Sequence, residues 1–275
     1  MIVNFNGGLG NQLFQFALSI YLSKTFEQKV EYDLSDFIYK SIHQGFVLNK
    51  IIRYPLIKQC SPDDLKKVSP LLCSKYGRIF LRKFYSSSKI LIDSNLRSLP
   101  NTPLLYYWGD WHNLNLDYPN LIRPYLLSTD RIPIENSPSN SVFIHVRRGD
   151  YVNNPNHHLC SIQYYEHAIN FLCNKLITPK FRVYSDDIYW CKQHLVDLLH
   201  NKDFFFSESS NALHDFNEMR LCEHAIISNS TFSWWAAQLI NILPAGNTII
   251  YPRHWSNNSK YQIQIPKHWI PLPHE

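Results

Sequence analysis

From Ser141 onward the sequence alternates strand-like and helix-like stretches, and that regularity limits the fold more than any other feature of the chain. "SVFIHVR" reads as a buried strand, "SIQYYEHAINFLCNK" as a helix capped by Ser161, "KFRVYS" as a strand and "DIYWCKQHLVDLL" as a helix. "DFFFS", "ALHDFNEMRLC", "HAIIS", "FSWWAAQLI" and the closing strand "NTIIYP" continue the pattern to Pro252. Alternation of this kind builds a parallel sheet covered by helices on both faces. The second half therefore predicts a Rossmann-like α/β domain.

The first half is less regular. Ile2 to Phe5 reads as a short buried strand, "LFQFALSIYLSK" from Leu13 as a helix apolar on most faces, and "KVEYD" from Lys29 as a second strand. Residues 34–135 hold eight prolines, each of which fixes φ and removes a backbone donor, so only short elements are expected there. The turn-rich "IPIENSPSNS", 132–141, reads as a linker. Two domains follow, 1–135 and 136–275.

Hydrophobic residues make up 45% of the 275 residues and charged residues 18%, against a usual charged share of ~25%. The chain is thus globular with little disorder. Its net charge of +5 is local, because Lys50 to Lys89 holds ten Lys and Arg against only Asp63 and Asp64. A nucleic-acid binder would spread its cations along a whole face, which sets that class aside. "MIVNF" lacks the features of a signal peptide, and no apolar run reaches the ~18 residues that span a bilayer, so a cytoplasmic location is expected. Six cysteines without a C-x-x-C pair read as buried free thiols. "HHLC", 157–160, resembles half of a metal site but has no second cluster at ligand spacing.

Ligands of open α/β sheets bind beyond the carboxyl ends of the strands. Three polar clusters fall there: "HVRRGDY" from His145, "YSDD" at 184–187 and "SNSTFS" at 228–233. A strand's period of two puts His145 and Arg147 on one face and Val146 and Arg148 on the other. Arginines so placed can grip an anion through paired hydrogen bonds, or form structural salt bridges to Asp186 and Asp187. "SNSTFS" marks a helix N-terminus able to hold an anion, or simply a cap supplied by Ser230 or Thr231. Asp186 and Asp187 can accept hydrogen bonds from a base or ribose, or cap the following helix.

"NGGLGNQ" holds three of the chain's eight glycines. It is not a P-loop, and as G-x-G-x-x-G it fails at Leu13, although Asp33 lies about 20 residues on, where a ribose-binding acid would stand. A nicotinamide-dependent oxidoreductase is the alternative this keeps open, while Asn11 and Gln12 can instead touch a substrate. "LLYYWGDWHN", 104–113, is either a sugar-facing aromatic surface or a core cluster.

Taken together, "GGLGNQLFQFA" (7–17), "HVRRGDY" (145–151), "YSDDIYWCK" (184–192), "EHAIISNSTFSWWAAQL" (223–239) and "YPRHW" (251–255) resemble glycosyltransferase family 11, specifically the bacterial α-1,2-fucosyltransferases. The resemblance implies a GT-B-like pair of Rossmann-type domains, with 1–135 on the acceptor side and 136–275 binding GDP-fucose. It implies GDP-β-L-fucose as donor, a galactoside-terminated glycan as acceptor, and inversion at the transferred carbon. Its donor-binding residues would be His145, Arg148, Asp186, Asp187, Asn229, Ser230, Thr231, Phe232, Ser233 and Asn11. Asp186 and Asp187 are adjacent, so the chain has no D-x-D metal motif. Arg147, with Arg148 and the helix start at Ser230 to Ser233, would then neutralise the leaving diphosphate without a metal or other cofactor. Asp150 is the candidate general base and His158 the runner-up, although Asp150 can equally hold an arginine, and a dissociative transition state needs no formal base.

A GDP-sugar transferase of different linkage and a non-catalytic nucleotide or glycan binder are the alternatives. The basic stretch 64–89 interleaves cations with Leu, Ile, Phe and Tyr. Such a segment suits peripheral contact with an anionic inner membrane face, where glycans carried on lipid would be met, or else a solvated face whose apolar side enters the core.

Overall fold

Three segments open the chain as the expected β-α-β unit: β1 (Ile2–Asn4), α1 (Leu9–Phe26) and β2 (Glu31–Asp33). The computed structural model describes residues 1–39, 45–53, 58–84, 88–93, 96–127, 140–240, 246–258 and 262–273. α1 starts at Leu9, ahead of the expected Leu13, because Gly7 (φ 74°) and an extended Gly8 end the four-residue link from β1. Gly7 has a left-handed backbone that strains any residue with a Cβ, and a Cβ there would also displace the Asn11 side chain, 2.7 Å away.

α1 is buried on nearly all sides, including two glutamines. Gln12 donates to the carbonyls of Gly7 (3.0 Å) and Gly45 (2.9 Å) and accepts from the N–H groups of Val47 (3.0 Å) and Leu48 (3.2 Å). Both amide donors and both carbonyl lone pairs are thereby filled. Gln12 is therefore a clamp on two loops, which corrects the expectation that it faces a substrate. Gln15 does similar work, accepting from Asn6 N–H and donating to Gly109 O.

Short elements follow, as the prolines require: α2 (Ser35–Tyr39), α3 (Pro62–Val68), α4 (Lys75–Phe84), β3 (Ile90–Ile92), β4 (Tyr106–Trp108) and α5 (Tyr118–Ile122). The four strands form one parallel sheet in the order β2-β1-β4-β3. β4 carries the aromatic cluster inward: Tyr106, Tyr107 and Trp108 are buried, as is Trp111 beyond it. Of the two readings of "LLYYWGDWHN" the core is the one realised. Asp33 is likewise not a ribose ligand. It is buried at the end of β2, where it pairs with Arg78 of α4 and accepts from Tyr106 Oη, while Arg78 also reaches Asp36 at 3.1 Å. Burial alone would raise the Asp33 carboxyl, but the Arg78 charge and hydrogen bonds from Arg78, Ser35 and Tyr106 bring it below its ordinary value.

The second unit follows the expected alternation: β5 (Ser141–Val146), α6 (Ile162–Lys175), β6 (Lys180–Ser185), α7 (Ile188–His194), α8 (Val196–Leu199), β7 (Asp203–Phe206), α9 (Ala212–Arg220), β8 (His224–Ile226), α10 (Thr231–Gln238), β9 (Ile249–Pro252) and β10 (Ile270–Leu272). Ser161 caps α6 by accepting from Tyr164 N–H. All six strands are parallel in the order β10-β9-β8-β5-β6-β7. Counted from β5, that is the 3-2-1-4-5-6 order of the Rossmann sheet, and the chain reverses direction across the sheet between β5 and β8. Val142, Ile144 and Val146 of β5 pack with Tyr164, Tyr165, Ile169 and Leu172 of α6 in the core of this unit.

The two units are Met1–Leu127 and Ser128–Glu275. The expected linker at 132–141 lies almost wholly outside the described residues. Among the described residues no helix is long and apolar enough to cross a membrane.

Candidate active site

Strand register places the polar clusters of the second unit beside one another. β5 pairs β6 through His145↔Tyr184 and Val146↔Ser185. Continued past the strand ends, that register sets Arg147 beside Asp186 and Arg148 beside Asp187. Ion pairs form there: Arg147 Nη1 is 3.1 Å from Asp186 Oδ2, and Arg148 Nε is 3.2 Å from Asp187 Oδ2. Arg147 Nη2 also meets Asp150 Oδ1 at 2.7 Å. β5 ends at Val146, so the two-residue alternation stops before the arginines, and both lie in the turn that follows.

Each guanidinium has an aromatic neighbour. Arg147 lies 5.5 Å from the Tyr151 ring centroid and Arg148 4.2 Å from that of Trp190. A guanidinium carries five N–H donors, of which these carboxylates use only some. The acids have further duties. Asp186 Oδ1 accepts from Arg148 N–H at 2.8 Å, and Asp187 caps α7 by accepting from Trp190 N–H at 3.1 Å. Gly149 keeps this packing possible, since a Cβ there would stand 2.5 Å from Asp186 Oδ2.

His145 is buried, with Nδ1 2.8 Å from Ser228 Oγ across the strand-order reversal. Burial, reinforced by the Arg147 charge, pushes its pKa down to about 3. It is therefore an uncharged ring at neutral pH. Phe232 lies 5.5 Å from it, centroid to centroid.

The "SNSTFS" side chains build the turn into α10. Ser230 is the N-cap, accepting from Phe232 N–H at 3.3 Å, and Thr231 opens the helix half-buried. Asn229 donates to the carbonyls of His158 (3.0 Å) and Trp255 (2.9 Å), tying two loops to the turn. Ser233 Oγ donates back to Ser230 O at 3.2 Å. One cap would need one such residue; the others fasten the loops around it. His158 is half-buried, its ring centroid 6.5 Å from that of His254, and His157 stacks on Tyr151 at 4.0 Å. Burial pushes the Cys160 thiol up to about 12. Among the described residues no three His, Cys, Asp or Glu gather as metal ligands, so "HHLC" forms no such group.

The second unit thus brings together His145, Arg147, Arg148, Asp150, Asp186 and Asp187 at the ends of β5 and β6, with Ser228 to Ser233 across the reversal. Asn11 belongs to the first unit, where its Nδ2 lies 3.4 Å from Asp110 Oδ1. Tyr151 and Trp190, the aromatic neighbours of the arginines, are not among the expected site residues. The signal was present, because Tyr151 follows Arg147 by one helical turn and Trp190 lies in the first turn after the cap Asp187. Two guanidinium groups and a helix N-terminus at a strand-order reversal make a place where a diphosphate can be held.

The sequence model of "Glycosyl transferase family 11" matches residues 122–270, more than half of the chain. The chain is 28% identical to an α-1,2-colitosyltransferase of Escherichia coli over 98% of both sequences. It is also 33% identical to a galactoside α-(1,2)-fucosyltransferase 2 of Bos taurus, over 50% of this chain and 42% of that one. Among solved structures it is similar to POFUT1 in complex with GDP-fucose, with a TM-score of 0.54, 12% identity and coverage of 90% of this chain and 97% of that one. A second is the α-1,6-fucosyltransferase NodZ soaked with GDP-fucose, with a TM-score of 0.50, 15% identity and coverage of 87% and 92%. The fold is accordingly GT-B-like, and by the match across its second unit the chain belongs to glycosyl transferase family 11.

Proposed function

We propose that this glycosyltransferase moves L-fucose from GDP-β-L-fucose to the 2-hydroxyl of a terminal galactose, inverting the fucose C1. The observation that carries the reading is that Arg147 and Arg148 follow β5 and α10 follows β8, neighbouring strands at the reversal, where His145 Nδ1 lies 2.8 Å from Ser228 Oγ and Tyr151 Oη donates to Asn229 O at 3.1 Å. As the bond from C1 to the diphosphate oxygen breaks, negative charge grows on GDP and positive charge on the sugar ring. Arg147 and Arg148 turn their remaining N–H donors to the phosphate oxygens, and the α10 N-terminus adds its partial positive charge. Asp150, Asp186 and Asp187 hold the guanidinium planes beforehand, so little reorganisation is needed when charge develops. The acceptor O2 attacks C1 from the face opposite GDP, GDP leaves with both electrons of the C1–O bond, and the O2 proton passes to Asp150, to His158, or to water where a dissociative transition state needs no formal base. Asp150 has two possible duties there, and its 2.7 Å contact with Arg147 favours positioning over proton removal.

The linkage is supported by relatives whose names specify α-1,2 transfer, one matched end to end and others in part. The end-to-end relative supports a second reading, transfer of colitose with the same linkage. Incubation with GDP-fucose or a colitosyl donor and a panel of β-galactosides, followed by linkage analysis of the product, tests both. The expected result is a fucosylated galactose O2. Preference for the colitosyl donor would move the assignment to the second reading, and a product linked elsewhere would overturn both. Because Asp186 and Asp187 leave no D-x-D motif, activity is expected to survive EDTA; loss that manganese restores would contradict a metal-free mechanism.

A further inference from the structure

α4 turns a large apolar stripe outward. An ordinary surface helix turns its apolar stripe to the core and its charges to water. The buried side of α4 is Gly77, Arg78 and Leu81. Gly77 sits so close to the preceding turn that a Cβ would lie 2.2 Å from Leu71 O, and Arg78 is neutralised by Asp33 and Asp36. Those contacts fix which way the helix faces. The outward stripe is Tyr76, Ile79, Phe80, Lys83 and Phe84, the i, i+3, i+4, i+7, i+8 set, and its apolar members are 82%, 54%, 48% and 67% exposed in that order. Phe80 and Phe84 touch at 5.4 Å between centroids, so the patch is continuous at its end. Lys75, Arg82 and Lys83 flank it, all exposed, and α4 contains no acidic residue.

We propose that this face of α4 docks on an anionic lipid surface, with Tyr76, Ile79, Phe80 and Phe84 entering the headgroup region and Lys75, Arg82 and Lys83 meeting lipid phosphates. The charge pattern selects this occupant. A second copy of the chain, meeting the same face across a two-fold axis, would set these cations against themselves with no carboxylate between. A bilayer carrying phosphatidylglycerol supplies both the apolar depth and the opposite charge. The sequence left open a solvated face with its apolar side in the core; the exposure of these side chains is the reverse of that arrangement.

The test is sedimentation of the full-length protein with vesicles of phosphatidylcholine alone or with added phosphatidylglycerol. Binding to the anionic vesicles only, weakened by salt, is expected. Lys75→Gln/Lys83→Gln should bind roughly fivefold more weakly per cation, so roughly 25-fold in all. Phe80→Ser/Phe84→Ser should lose binding while keeping the Tm of the parent protein, since both rings lie on the exposed stripe. No binding at low salt would overturn the proposal, as would binding that both variants retain. So would a dimer in analytical ultracentrifugation that Phe80→Ser/Phe84→Ser dissociates, because the face would then be a self-interface.

Discussion

Arg147 lies between two carboxylates, Asp150 and Asp186, and beside the ring of Tyr151. A lysine there could satisfy one carboxylate but could not span two and also face a phosphate, because its ammonium is a single point of charge. Arg147→Ala is expected to lower kcat by a factor on the order of 10² to 10³, the usual cost of losing one donor to a developing anion. Arg147→Lys should recover little of it. Steady-state kinetics with GDP-fucose and a galactoside acceptor would check this, and a lysine variant that kept most of its kcat would refute the bidentate role. At this scale the sequence named the participants and left open whether the arginines bind an anion or protein carboxylates. What it could not supply was the register of β5 on β6, a contact between segments nearly forty positions apart that puts each arginine opposite its own aspartate.

α4 shows how one buried arginine and its two carboxylate partners can orient an element. Arg78→Ala would leave Asp33 and Asp36 buried without their cation, which typically costs about 3–5 kcal/mol. Denaturant unfolding should show a loss of that size; a change below about 1 kcal/mol would mean that Gly77 and Leu81 alone hold the helix. The basic stretch was legible as amphipathic, but the side it turns inward was not, because Arg78 and its two acids are far apart in sequence. Similar reasons account for the other differences. The sequence predicts one helix where α7 and α8 are two, because the break at Leu195 carries neither Gly nor Pro. β10 went unread because "IPL" is short and contains Pro271, which a strand tolerates at the edge of a sheet, where β10 lies. The sequence points to a later start for α1 because glycines are poor helix residues, and the positive φ of Gly7 that begins the turn is not legible from residue type alone.

For the molecule as a whole, all of the proposed donor-binding residues except Asn11 belong to the second unit. A fragment of residues 128–275 is therefore expected to bind GDP with nearly the affinity of the full chain, as calorimetry would measure. A folded fragment that fails to bind would show that the first unit, Asn11 included, is required. The α/β class and the two-part organisation were legible from the strand-helix alternation and the prolines that precede it. The strand order was not, since alternation does not say on which side of β5 a later strand is laid. That order has a consequence for synthesis. β6 and β7 are laid down on one side of β5 before the chain crosses to the other, so His145 must wait for Ser228, made more than eighty residues later. A nascent chain still short of Ser228 already carries both arginines and their acids, yet it has neither the hydroxyl that meets the imidazole nor the start of α10. Such long-range closure is slow. A chain that stops between Asp187 and Ser228 therefore carries the arginine side of the proposed anion site without the side supplied by α10.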